Sequence, residues 1–224
     1  LLPLLLLLLS LFAADDAWLA EMATSLSKQL RRLSPTECLA AVDAFSTWCT
    51  TRQQQQQADV NTAAAAVHGL AAGLLVQMST AVHNYSALQL CTALSSIALQ
   101  LGFNPKPSRV QDAAAIQGLK TLLDQLSHGQ VLADVPLRQV LVLLRGVDRM
   151  EVHVDHAFTA AVQRDALQPR LKQLTPLQFA DVAQSFVGLR VQVDKELLDG
   201  FWQEVDERVD QLTGRQLTTA AGFH

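Results

Sequence analysis

The chain has 224 residues, 50% of them hydrophobic but only 5% aromatic, and 17 Lys and Arg face 21 Asp and Glu for a net charge of −4. It is too apolar for a disordered chain, too poor in cysteine (three) for a disulfide scaffold, and long enough to bury a core in one or two domains. The apolar half is chiefly Leu and Ala, which favours helix over strand.

In chain order, an apolar run from Leu1 to Phe12 comes first, followed by Ala13-Ala14-Asp15. It is shorter than the roughly 20 residues of a membrane span. Three readings stay open for residues 1–14: an entry helix that ends a preceding repeat, a signal remnant, or a membrane contact. The close at Gly222-Phe223-His224, just after a helix start, reads as a truncation.

From residue 15 onward the same helix start recurs. Ser34, Ser86, Pro136, Thr175 and Thr213 act as anchors, spaced by 52, 50, 39 and 38 residues. Three residues after each stands Glu37, Gln89, Gln139, Gln178 or Gln216, the second half of a capping box. Pro136 lacks the hydroxyl and keeps half the device. Leu33, Tyr85, Val135, Leu174 and Leu212 precede the anchors, and Cys38, Leu90, Val140, Phe179 and Leu217 follow four residues later, as hydrophobic staples. Positions 4, 7, 8 and 11 past the anchor are apolar and trace one helix stripe, ending at Phe45, Ile97, Val147 and Phe186.

Between these B helices lie partner A helices. Asp155 and Asp194 are expected N-caps, Asp16-Ala17-Trp18-Leu19 is expected to start an equivalent helix, and Ser108 with Gln111 makes a further capping box. Asp59 is expected to open one more helix after a solvent loop of glutamines, Gln53 to Gln57. The fold expected is all-α, an α-solenoid of stacked antiparallel helix pairs in units of about 38–50 residues. The helical-repeat domain covers 15–224, with approximate repeats 15–52, 58–102, 108–150, 155–190 and an incomplete 194–224.

Leu33-Ser34-Pro35 through Ala44-Phe45, and Leu174-Thr175-Pro176 through Ser185-Phe186, resemble the octotricopeptide repeat family and related organellar helical repeats. The tryptophan often seen in that family's second helix is not at the matching positions, and two copies are stretched. The resemblance implies an RNA-binding α-solenoid in an organelle, a mitochondrion ahead of a plastid. There such proteins support RNA processing, stability or translation, or are built into ribosomes beside ribosomal RNA.

The residues bear on that implication in both directions. A pI near 5.8 gives no general basic field for phosphates. Local clusters do exist: Lys28, Arg31 and Arg32 close one A helix, Arg164, Arg170 and Lys172 lie along another, and Arg138, Arg145 and Arg149 share a B-helix face. Cations near helix ends also serve the helix dipole. Positions 2, 6 and 9 past the anchor form the expected exposed face, and Asp43, Ser95, Arg145 and Gln184 at position 9 are candidates for base edges.

Other chemistry has little footing. Cys38, Cys49 and Cys91 form no C-x-x-C pair and read as reduced core residues. His153 and His156 are three apart with no further ligand in sequence; His68 and His83 read as packing or surface groups. Trp18, Trp48 and Trp202 read as packing residues. No phosphate loop, dinucleotide fingerprint, zinc-protease or nucleophile-elbow motif occurs. A non-enzyme without cofactor, metal or small-molecule substrate is therefore expected, binding organellar RNA and neighbouring proteins of a large assembly, with no membrane role. The alternative is a protein scaffold in such an assembly without RNA contact.

Overall fold

A computed structural model describes residues 16–54, 61–106, 109–211 and Gly214. Residues 1–14, the Asp59 and Ser108 helix starts and the fifth anchor at Thr213 lie outside them. All described secondary structure is helical. The chain divides into two compact bodies, Leu1–Leu122 and Leu123–His224.

The N-terminal body holds α1 (Asp16–Gln29), α2 (Pro35–Gln54), α3 (Asn61–Thr80), α4 (Ala87–Leu99) and the first part of α5 (Val110–Ser127). The C-terminal body holds the end of α5, then α6 (Leu137–Arg149), α7 (His156–Ala161), α8 (Pro176–Gly188) and α9 (Lys195–Glu207). Odd-numbered helices are the A helices and even-numbered ones the B helices. In the N-terminal body α1 packs on α3 and α2 on α4; in the C-terminal body α6 packs on α8.

Each described B helix starts one residue after its anchor. Ser86 and Thr175 accept from the amides of Gln89 and Gln178 at 3.2 and 3.3 Å, while those glutamines reach back to the anchor amides at 2.8 Å. Ser34 and Glu37 make the same reciprocal pair, and the two bonds from Ser34, backbone first, hold the Glu37 carboxyl below its usual range. Pro136 caps α6 without a side-chain bond, as its ring requires. Asp155 and Asp194 occupy N-cap positions with extended backbone, but neither side chain caps. The Asp194 amide instead donates to Gln163 Oε1 at 2.7 Å, and Gln163 Nε2 donates to the Gln192 carbonyl. A buried glutamine thus holds the incoming strand of chain where an Asp cap was expected.

The stripe at positions 4, 7, 8 and 11 is buried in all four described copies, from Cys38, Ala41, Val42 and Phe45 to Phe179, Val182, Ala183 and Phe186. Every described A-to-B connection passes through a 3-10 turn, at Leu30–Arg32, Val82–Asn84, Val131–Ala133, Gln168–Gln173 and Val209–Gln211. The A helix after Asp155 carries a π-helical segment, Val162–Leu167. Twenty residues separate Asp155 from Thr175 but nineteen separate Asp194 from Thr213; the π-turn takes up the extra one.

The glutamine loop is corrected in part. α2 continues through Gln53 and Gln54, because glutamine is a good helix former; Gln55 to Gln57 lie outside the described residues. Among the described residues α3 is long and apolar enough to cross a membrane, with a mean hydropathy of 1.3 over Ala63–Thr80. Its Leu70, Leu74, Leu75 and Met78 are wholly buried in the N-terminal body. A Cβ on Gly118 of α5 would stand 2.8 Å from the Leu75 carbonyl oxygen, so glycine permits the close approach of α3 and α5.

Buried Asp112 joins the same two helices. It accepts from His68 Nε2 at 2.9 Å and from the Lys106 amide at 2.8 Å, while the His68 ring packs on Phe103. Burial pushes its carboxyl up, but those bonds and the charge of Arg109 outweigh it and leave it below its usual range. Cys38, Cys49 and Cys91 are free thiols. Burial raises all three, to about 11 for Cys49 and about 12 for Cys91.

Helix α8 ends in a left-handed residue that is not glycine. Arg190 has φ 53°, its amide bonds the Val187 carbonyl, and the Val191 amide bonds that of Phe186. A non-glycine residue in this region costs about 1–2 kcal/mol, and glycine adds about 0.4–1 kcal/mol of unfolded-chain entropy. Arg190→Gly should therefore raise stability by up to about 1.6 kcal/mol. A higher urea midpoint is the expected result; a lower one would mean that the Arg190 side chain holds the turn.

Candidate nucleic-acid interface

The basic residues separate into three groups once their partners are considered. Arg138, Arg145 and Arg149 are exposed along α6, the B helix with the strongest segregation of charged and apolar faces. Its apolar side, Val140, Leu143, Leu144 and Val147, is fully packed, which fixes the rotation that turns the arginines outward. At 1.5 Å per residue, Arg138 and Arg149 stand about 16 Å apart along the axis. Among the described residues neither has an ion-pair or hydrogen-bond partner.

Arg145 differs. Its Nη2 forms an ion pair with Asp181 Oδ1 on α8. Asp148, on α6, lies over Gly188 of α8, and burial first, then Glu151, pushes its carboxyl up. Gln184 is exposed on α8, one turn from Asp181. The C-terminal body therefore brings Arg138, Arg145, Arg149 and Gln184 onto neighbouring B helices, with two acids between them.

Lys28, Arg31 and Arg32 are exposed at the end of α1 and the following 3-10 turn, in the N-terminal body. Lys172 is exposed in the equivalent turn of the C-terminal body.

Two of the expected RNA contacts are engaged inside the fold. Ser95 is 4% exposed, and its hydroxyl donates to the Cys91 carbonyl at 2.6 Å. With Cys91 and Ala98 it forms a second buried strip on α4, so position 9 is not a surface position there. Arg170 is half-buried, and its guanidinium is engaged. Nε donates to the Ala166 carbonyl at 2.7 Å, Nη1 to that of Val135 at 2.6 Å and Nη2 to that of Leu132 at 3.0 Å. Burial lowers its pKa. Arg208, 38 residues on, repeats the device against Leu174 and Lys172 carbonyls at 2.6 and 2.9 Å, bonds Glu204, and lies over the Phe179 ring. Sequence reasoning missed this staple between helix pairs, whose signal was the matched position of Arg170 and Arg208 before consecutive anchors.

His153 and His156 are exposed, and the described residues contain no group of three His, Cys, Asp or Glu that fits a metal. Compared with known proteins, the chain matches no family model, no curated protein and no solved structure.

Proposed function

We propose that this chain is a stacked helical-repeat protein that binds single-stranded RNA without catalysing a reaction, in an organelle and in the setting of a large ribonucleoprotein such as a mitochondrial ribosome. The observation that carries this is the α6 row: two arginines, Arg138 and Arg149, without a partner among the described residues, on one exposed face with Arg145 between them. An unpartnered guanidinium suits a phosphate through parallel donors. Register-matched capping boxes and packed helix pairs support the repeat, and the octotricopeptide resemblance supplies the organelle.

A titration against salt tests it. Each phosphate contact to a single strand contributes a slope of about 0.7. Replacing Arg138 and Arg149 by Gln keeps helix propensity and should flatten the slope by about 1.4. An unchanged slope, or no binding by the parent protein, would overturn the proposal.

The second reading is a protein scaffold in the same kind of assembly. Leu177 and Val187 favour it, being 60% and 53% exposed on α8 beside the basic row.

A further inference from the structure

Among the described residues, only the middle one of the three arginines on α6 is paired with a carboxylate. The Arg145 side chain is 48% exposed and Asp181 18%, so their ion pair sits at the surface between α6 and α8. Such pairs contribute little to stability. The two helices are held instead by Val140, Leu144 and Val147 on one side and Phe179, Val182 and Phe186 on the other, all buried. The pair matters more for what Arg145 can bind. A carboxylate oxygen on a guanidinium N–H takes the place a phosphate oxygen would take, using the same donor.

We propose that Asp181 is an intramolecular competitor for the central phosphate contact of the α6 row, and so sets how many phosphates the row engages. This rests on the RNA reading of that row. The parent protein engages a chain through Arg138 and Arg149. A third phosphate at Arg145 must displace the Asp181 carboxylate and then lie beside its negative charge. Asp181 is a positioning residue here: it acts through Arg145 and does not itself hold the strand.

Asn at 181 keeps the shape and removes the charge. With a random-sequence pool of single-stranded RNA as the probe, Asp181→Asn should bind several-fold tighter at low salt. Its salt slope should be steeper by about 0.7, one further phosphate. Arg145→Gln in the parent background should leave the slope unchanged, and in the Asp181→Asn background it should abolish the gain. A lower slope for Arg145→Gln in the parent background overturns the competitor role even if Asp181→Asn folds poorly. No binding by the parent protein overturns the RNA reading, and this proposal with it. Binding by the parent with a lower slope on Arg145→Gln, or with weaker or unchanged binding on Asp181→Asn, overturns the competitor role while leaving RNA binding intact.

Discussion

Phe186→Ala should destabilise the protein by about 3–5 kcal/mol, the usual cost of removing a buried phenylalanine and leaving a cavity. Phe186 is the position-11 residue of α8 and is 1% exposed. Its chain neighbour Val187 is 53% exposed, and Val187→Ala should change stability by no more than about 0.5 kcal/mol. The contrast between adjacent residues tests the register: a one-residue error would exchange the two effects. Chemical denaturation of both variants provides the check. Equal losses at 186 and 187 would mean that the stripe at 4, 7, 8 and 11 does not define the buried face of α8.

Arg170→Leu should cost about 2–3 kcal/mol, because it removes charged hydrogen bonds and leaves the Leu132 and Val135 carbonyls without that donor. Arg170→Lys should recover only part of this, since an ammonium cannot serve two carbonyls with a planar fork. The same reasoning covers Arg208, whose fork meets the Leu174 and Lys172 carbonyls. RNA affinity of a folded Arg170→Lys variant should match that of the parent. A variant that melts like the parent but has lost RNA affinity would restore Arg170 as a phosphate contact.

What could be read from the sequence follows from the range of each interaction. Capping boxes close within three residues and a helix stripe within eleven, so the starts of α2, α4 and α8 and their buried faces were visible as local patterns. The start of α6 was visible despite Pro136 because the staple and the stripe remained. The engagement of Arg170 is not legible in the sequence, because the carbonyls it meets lie 35 and 38 residues away, one helix pair back. Nothing within one helix distinguishes such an arginine from a free one. The burial of Ser95 is hidden for a different reason: α4 is packed on two sides, and its second strip consists of small residues that look like a neutral surface. Asp181 was visible as a residue on the exposed face, but its pairing with Arg145 depends on how α6 and α8 pack together.

The α6 row also shows why net charge alone is a poor guide here. The overall charge is −4, yet among the described residues Arg138 and Arg149 face solvent without an acid partner. Arg164 pairs with buried Asp165, Arg208 with buried Glu204 and Arg145 with Asp181. The cations available to a polyanion are those left over after internal pairing.

Ultraviolet crosslinking of the native protein to its cellular partners, followed by peptide mass spectrometry, tests RNA binding through this row most directly, because it works whatever the RNA is. Nucleotide adducts on peptides from α6 and α8, spanning residues 137–188, are the predicted result. Peptides from those helices joined only to other proteins, with no nucleotide adduct anywhere in the chain, would contradict it and favour the scaffold.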